Sequence, residues 1–312
     1  MKTIAIGVDV GGSHVSCAAF DWKNQNYLTD TFAENDLDNH APADVIMESW
    51  GKTIAKTIQL VGIEKLAGIG FAMPGPFDYE NGIPRFEGVN NKYENIYGLD
   101  VPKALRSYLK LPDDFPIRFM NDATAFAIGE DWVGQAANSQ KTLAITLGTG
   151  FGSAFLKNSL PVTSGNSVPN QGCLWHLPFE NVLADDYFST RGLITRYKQA
   201  TGKTVSGAKE VAEAALVQPE AKAIFDDFGR KLVDLLAPWF VKFEVEVFVI
   251  GGNIANAFSL FQPALNQALK GRELTVRVEI SELKETAAII GSARLIEPSF
   301  WKRVMPCLKN MS

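Results

Sequence analysis

The sequence has few cysteines and histidines and no long apolar run. Its 312 residues include only three cysteines, at positions 17, 173 and 307, and three histidines. The cysteines form no CxxC pair and no zinc pattern, so we expect reduced thiols and no structural zinc. No run reaches the roughly 20 apolar residues that a membrane span needs, and the N-terminus is not patterned as a signal peptide. A cytoplasmic protein that does not enter membranes is predicted.

The chain also lacks the basic excess of a nucleic-acid-binding protein. Its formal net charge is −5, so no nucleic-acid partner is expected. Long low-complexity segments and short-period repeats are missing as well. Hydrophobic residues make up 46% of the chain, enough for a substantial core, and the length allows two domains of ordinary size.

One stretch in the middle of the chain predicts a strand–turn–strand hairpin built around glycine. Residues 143–147 are an apolar strand, Gly148-Thr149-Gly150 break it, and the chain turns again at Gly152-Ser153. Glycine lets backbone N–H groups approach an anion closely, and hydroxyl groups add donors. The same residues are also compatible with an ordinary hairpin turn.

A second hairpin of this kind opens the chain. Residues 4–10 form a strand, Gly11-Gly12-Ser13-His14 the turn, and residues 15–20 the returning strand. Asp9 precedes the glycines, and a carboxylate beside a phosphate cradle suits hydrated Mg²⁺. Two such hairpins, half a chain apart, predict two similar half-domains that bind one nucleotide.

Further candidate residues follow predicted strands. Pro-Gly-Pro at 74–76 ends the strand at 66–72 and is either only a rigid turn or part of a site, because ligands gather at this end of the strands in open α/β sheets. Asn121-Asp122 ends the strand at 117–120 and opens an Ala-rich helix. Asp122 is either the cap of that helix or a base that accepts a proton from a hydroxyl nucleophile. The polar loop at 77–99, which contains Asn90, is either a solvated loop or part of a sugar site.

Strand and helix patterns alternate along the rest of the chain. The strand at 245–250 is followed by Gly251-Gly252-Asn253, where bare backbone allows a flat ligand to lie. Helical spacing is predicted for residues 43–61, 101–108, 183–198, 207–216, 219–241, 254–269 and 285–295. The tail from Pro298 is short and partly aromatic.

Six motifs in order resemble the sugar-kinase, heat-shock-protein and actin superfamily and, within it, the ROK family of repressors, open reading frames and sugar kinases. The resemblance covers about residues 3–297. The motifs are Asp9-Val-Gly-Gly-Ser13, Met73-Pro-Gly-Pro76, Asn121-Asp-Ala-Thr-Ala125, Leu147-Gly-Thr-Gly-Phe-Gly-Ser153, Val249-Ile-Gly-Gly-Asn253 and Gly291-Ser-Ala-Arg294.

The resemblance implies a two-domain actin-like (ribonuclease H-like) α/β fold and an ATP-dependent sugar kinase. It implies domains at 1–118, joined by the C-terminal helix 291–312, and at 119–290. Asp122 is the implied base and Asp9 the Mg²⁺ ligand. The implied sugar contacts are Gly75, Asn90, Asn121, Asp122, His176 and Asp185. The implied ATP contacts are Gly11, Gly12, Ser13, Gly148, Thr149, Gly150, Gly152, Gly251, Gly252 and Asn253. A homodimer is also implied.

Two departures from the family pattern concern the sugar. The usual Gly-Glu-x-Gly-His segment reads Gly-Cys-Leu-Trp-His at 172–176, so Cys173 replaces a sugar-gripping glutamate. Asp185 stands where another family glutamate is expected and is one methylene shorter. The usual zinc motif is missing. The two altered sugar positions leave a sugar-binding sensor without catalysis open as an alternative. A polyphosphate-using glucokinase also stays open, because the Gly-Thr-Gly-Phe-Gly-Ser-Ala segment at 148–154 resembles the corresponding turn of those enzymes.

Overall fold

The computed structural model describes residues 2–88, 92–309 and 311. The chain divides into two compact units, Met1–Val133 with Glu285–Ser312 and Gly134–Lys284. None of the described helices is both long and apolar enough to cross a membrane.

The strands and helices alternate in both units. The strands are β1 (Ile4–Val10), β2 (His14–Asp21), β3 (Asn26–Asp36), β4 (Leu66–Met73), β5 (Phe77–Asp78), β6 (Ile83–Pro84), β7 (Ile117–Asn121), β8 (Lys141–Leu147), β9 (Phe151–Lys157), β10 (Leu160–Pro161), β11 (Pro178–Phe179), β12 (Val182–Leu183), β13 (Val247–Gly251) and β14 (Arg277–Ile280). The α-helices are α1 (Ala43–Val61), α2 (Val101–Leu109), α3 (Asp122–Val133), α4 (Ala184–Phe188), α5 (Thr190–Thr201), α6 (Ala208–Ala215), α7 (Pro219–Phe243), α8 (Phe258–Gly271), α9 (Thr286–Arg294) and α10 (Pro298–Leu308).

The main sheets of the two units repeat one topology. The first runs β3-β2-β1-β4-β7 and the second β10-β9-β8-β13-β14. In each, the first three strands of the order are antiparallel neighbours, whereas the last three are parallel. The predicted pair of glycine-turn hairpins is therefore β1–β2 in one unit and β8–β9 in the other.

Helices cover both faces of the first sheet. Cys17 of β2 lies against α1, where its thiol donates to Thr53 O at 3.6 Å. Ala18 faces the other way, because successive side chains of a strand alternate. Its partner Gly7 lies against α9, so close that a Cβ on Gly7 would meet Ile289 O at 1.8 Å. The small residues of α9 thus allow this helix to pack directly on the strands of the first sheet.

The core of the second unit is aromatic and centres on α7. The Phe155 and Phe243 rings are 5.2 Å apart, and the Phe240 and Phe248 rings are also 5.2 Å apart, which packs α7 on β9 and β13. Phe228 contacts Phe261 of α8 at 5.2 Å. The apolar side chains along one face of α7 are all buried in this core: Phe225, Phe228, Leu232, Leu235 and Leu236.

The observed units differ from the predicted domain limits at 118/119 and 290/291. The structure groups residues 119–133 and 285–290 with the first unit. The physical reason is that β7 pairs with β4, and that α3, which follows β7, packs tightly on α9.

Two other local predictions need correction. Gly152 and Ser153 do not form a second turn, because β9 resumes at Phe151 and Gly152 pairs with Thr146 of β8. The C-terminal helix predicted at 291–312 is two helices, since α9 ends at Arg294 and α10 begins at Pro298; Phe300, Val304 and Leu308 of α10 are buried. Their spacing of four places them on one helical face.

Candidate active site

Acidic and amide groups meet at one edge of the first sheet. β1, β4 and β7 are parallel neighbours, so their carboxyl ends lie side by side. Asp9 is near the end of β1, Gly75 lies two residues beyond β4, and Asn121 ends β7 with Asp122 directly after it. Ligands bind at this edge in open α/β sheets. The structure thus brings four predicted site residues of the first unit to one edge.

At the start of α3, Asn121 and not Asp122 makes the hydrogen bond that caps the helix. Asn121 Oδ1 accepts the Thr124 N–H at 3.1 Å, which is the hydrogen bond of an N-cap. Asp122 is the first residue of the helix, and its Oδ1 accepts from Asn121 Nδ2 at 3.0 Å and from the Ala123 N–H at 2.8 Å. The cap that the sequence offered to Asp122 belongs to Asn121. Asn121 also orients the Asp122 carboxylate.

Burial changes the proton affinity of both carboxylates. Burial raises the pKa of Asp122, against hydrogen bonds from Ala123 and Asn121 and the positive charge of Lys92, which lower it. Burial, followed by repulsion from Asp122 and Glu285, raises the pKa of Asp9 from 3.8 to about 7. Both side chains keep partial contact with solvent. A carboxylate whose pKa lies above its ordinary value is a better proton acceptor near neutral pH.

The donor set at this edge fits a hydrated divalent cation. The charges of Asp122 and Glu285 repel that of Asp9, and a cation relieves that repulsion. Among the described residues, no cluster of three or more His, Cys, Asp or Glu side chains has the arrangement of a metal cage. A cation here would be held by Asp9 with water and phosphate oxygens, which is how Mg²⁺ usually binds.

The first glycine turn is anchored through its carbonyl groups. Tyr93 Oη donates to Gly11 O, and Asn39 Nδ2 donates to Gly12 O. The Gly11 N–H donates to His14 O at 2.9 Å. Within residues 2–88, 92–309 and 311, the N–H groups of Gly12 and Ser13 donate to no other group. The turn therefore keeps two backbone donors for a ligand.

The second glycine turn is held by the junction of α4 and α5. The Gly148 carbonyl accepts from the Thr190 N–H at 2.8 Å and from Thr190 Oγ1 at 2.9 Å. The Phe151 N–H donates to Asp185 Oδ1 at 2.7 Å. Thr149 and Gly150, between these attachments, are exposed. The predicted phosphate turn is thus a short exposed loop fixed at both ends.

The Gly251-Gly252-Asn253 segment lies beside that turn. Gly251 pairs with Thr146, and a Cβ on Gly252 would meet Leu147 O at 2.5 Å. Gly252 also has a φ of 83°, which favours glycine. Glycine is required here for both reasons. The structure therefore brings the predicted adenosine and phosphate segments of the second unit together.

The predicted sugar residues of the second unit share one region. The Asp185 N–H donates to Trp175 O at 3.0 Å, which joins the 172–176 segment to α4. Arg191 binds Asp185 Oδ2 at 2.7 Å, so both carboxylate oxygens already have partners. His176 is half-buried, and burial lowers its pKa, which favours the neutral ring. Cys173 is partly exposed.

Some residues of the site were not predicted, and one prediction falls outside the description. Asn90 lies outside the described residues. Lys92 and Glu285 act on the carboxylates of the first unit without belonging to any motif. Its position directly after the Asn-Asn pair of the 77–99 loop was the only sequence signal for Lys92.

Comparison with known proteins agrees with this two-unit actin-like α/β architecture. The model of the ROK family matches residues 5–298, and the chain belongs to the ROK family. A glucokinase of Thermotoga maritima is 28% identical over 328 residues, covering 95% of this chain and 98% of that protein. An N-acetyl-D-glucosamine kinase of Photobacterium profundum is 25% identical, covering 82% of this chain and 86% of that protein.

A solved structure shows the same fold at lower identity. The ROK family glucokinase from Streptomyces griseus, in complex with glucose and AMPPNP, superposes with a TM-score of 0.73 at 20% identity. The match covers 94% of this chain and 98% of that chain.

Proposed function

We propose that this protein is an ATP-dependent sugar kinase that transfers the γ-phosphoryl group to a hydroxyl of a hexose, glucose-like or an N-acetylhexosamine. One observation carries the proposal: the Asp122 carboxylate is oriented by Asn121 at the sheet edge next to a glycine turn whose Gly12 and Ser13 N–H groups have no partner within the described part of the chain. The glucokinase and N-acetylglucosamine kinase relatives support the same reaction class.

Residues of the first unit are proposed to accept the proton and to bind the sugar. Asp122 accepts the proton of the sugar hydroxyl, because its raised pKa makes it a stronger base than an ordinary aspartate. Asn121 fixes that carboxylate, and Asn121, Gly75 and Asn90 are proposed to contact neighbouring sugar hydroxyls. Mg²⁺, when bound at Asp9, supplies charge neutralisation for the phosphates.

The glycine segments carry the nucleotide. The N–H groups of Gly12 and Ser13 bind phosphate oxygens in the first unit. Gly148, Thr149 and Gly150 do so in the second, with Gly152 supporting them from β9. Gly251, Gly252 and Asn253 take the adenosine. His176 and Asp185 are proposed as further sugar contacts. A cytoplasmic homodimer completes the proposal.

The test is ADP release from Mg-ATP with glucose, mannose, fructose, allose, N-acetylglucosamine and N-acetylmannosamine. Asp122→Asn preserves the acceptor for the Ala123 N–H but removes the base. We expect kcat on the best sugar to fall by about 10²–10⁴-fold, the usual contribution of a general base. Asp114→Asn, at an exposed carboxylate of the same unit, is the matched control and should be unchanged.

Each other outcome has a defined meaning. Full activity of Asp122→Asn contradicts the assigned base. Sugar binding without turnover on ATP or polyphosphate indicates the non-catalytic sensor, and turnover on polyphosphate alone changes the donor.

A further inference from the structure

Lys92 covers the first glycine turn. A Cβ built on Gly12 would lie 3.2 Å from Lys92 Nζ and 3.5 Å from its Cε, so the end of the lysine side chain runs directly over this glycine. The side chain is half-buried. No carboxylate of the described residues lies within 4.0 Å of its ammonium, since Lys92 takes part in none of the ion pairs found there.

The residue that follows Lys92 fixes its position. Tyr93 is fully buried, and its ring packs against Trp50 at 5.9 Å and Phe86 at 5.6 Å between centroids. Its hydroxyl donates to Gly11 O, and its N–H donates to Asn39 O at 3.0 Å. Lys92 is thus attached to the glycine turn through its neighbour.

The surroundings of the ammonium suit a phosphoryl group. Among the described residues, no group accepts from the N–H groups of Gly12 and Ser13, and the Lys92 ammonium lies at the same turn. A lysine ammonium is a compact point charge that binds phosphate oxygens. Its charge also reaches Asp122, because it lowers the pKa of that carboxylate against the effect of burial.

We propose that Lys92 is a catalytic residue whose ammonium binds the phosphoryl group in transit between the nucleotide and the sugar hydroxyl. This proposal rests on the proposed kinase function. In the step, the sugar oxygen forms a bond to the γ-phosphorus, and the bond from that phosphorus to the bridging oxygen breaks. The electron pair leaves with ADP, the hydroxyl proton goes to Asp122, and Lys92 keeps its protons while it neutralises the equatorial oxygens.

The test compares Lys92→Met, which removes the charge at similar length, with Lys92→Arg, which retains it. Lys103→Met, at an exposed lysine of α2, is the matched control. Turnover gives kcat and the KM of each substrate. Calorimetry gives the Kd of Mg-ATP and Mg-ADP separately, and circular dichroism checks folding.

We expect Lys92→Met to lower kcat by about 10²–10³-fold, the usual loss when one charge-stabilising donor is removed. Its Kd for ATP should rise at least several-fold while its Kd for ADP stays unchanged, because Lys92 contacts only the group that is transferred. Lys92→Arg should keep part of the turnover and part of the ATP affinity, and Lys103→Met should match the wild type.

Three results overturn the assignment of Lys92: an unchanged kcat in Lys92→Met, equal weakening of ATP and ADP, or a rise in the sugar KM alone. The two proposals fail separately. If the wild type turns over no sugar but Lys92→Met loses ATP affinity selectively, the phosphoryl contact stands and the kinase function fails. If the wild type turns over sugar and Lys92→Met does so equally well, the kinase function stands and the phosphoryl contact of Lys92 fails.

Discussion

The contact between α3 and α9 gives the sharpest stability prediction. These helices approach so closely that glycine is required on both sides. A Cβ on Gly291 would lie 1.8 Å from Ala125 O, and a Cβ on Gly129 would lie 2.0 Å from Ala287 O. We therefore expect Gly291→Ala to destabilise the first unit.

The magnitude follows from two opposing effects. Alanine is favoured over glycine inside a helix by about 0.8–1.0 kcal/mol. Overpacking costs about 1–3 kcal/mol. We expect the cost of Gly291→Ala to lie at the upper end, because the new Cβ would meet Ala125 O and Gly129 N, which are backbone atoms that cannot rotate away. The expected net loss in the free energy of unfolding is about 2 kcal/mol.

Urea unfolding followed by tryptophan fluorescence measures this loss. Trp132, at the end of α3, lies 4.7 Å from the Arg294 guanidinium of α9 and so reports on the helix pair. Gly271→Ala is the matched control, since this exposed helical glycine has nothing within 4 Å of a new Cβ. It should be neutral or stabilise by up to about 1 kcal/mol. Equal midpoints for both variants would refute the close-packing argument.

Two further predictions concern carboxylates. The pKa of Asp9 is higher in the folded chain than its ordinary value of 3.8, so the ligand-free protein is favoured by this group at low pH and loses that stability as pH rises towards about 7. Asp9→Asn should remove this loss of stability. Without Mg²⁺ or nucleotide, the variant should therefore be more stable than the wild type at pH 8, and each unit of pKa shift is worth about 1.4 kcal/mol. Urea midpoints that change equally between pH 5 and pH 8 in both proteins would contradict this. Asp185→Ala should raise the KM of both ATP and sugar, each by about tenfold, because losing a hydrogen bond to a charged group costs about 1.5–3 kcal/mol and Asp185 also holds the Phe151 N–H. Arg191→Gln, which removes only the exposed ion pairs to Asp185 and Asp186, is its control, and a change in the sugar KM alone would show that the turn does not depend on Asp185.

Local patterns in the sequence predicted much of the fold, because periodicity and turn residues act over a few positions. The helix predicted at 43–61 is α1 with the same ends, since Pro42 and Gly62 bound an unbroken apolar stripe. Both hairpins were predicted for the same reason: glycine marks each turn between apolar strands. The repeated hairpin, with motifs in family order, also predicted the ROK family.

Other features depended on contacts between distant residues. The sequence left Asp122 as either a cap or a base, and only the Asn121–Thr124 hydrogen bond assigned the cap to its neighbour. The domain limits depended on α3 packing against α9, a contact between segments far apart in the chain.

The sequence by itself determined the strand–turn–strand units and the principal helices, and it offered Asp122 as a candidate base, because each follows from residues close together in the chain. Only the tertiary structure decided which charges act on that base. Lys92 and Glu285 reach the carboxylates of Asp122 and Asp9 from other segments of the first unit. Charge interactions depend on distance in space, and a sequence pattern carries no measure of that distance.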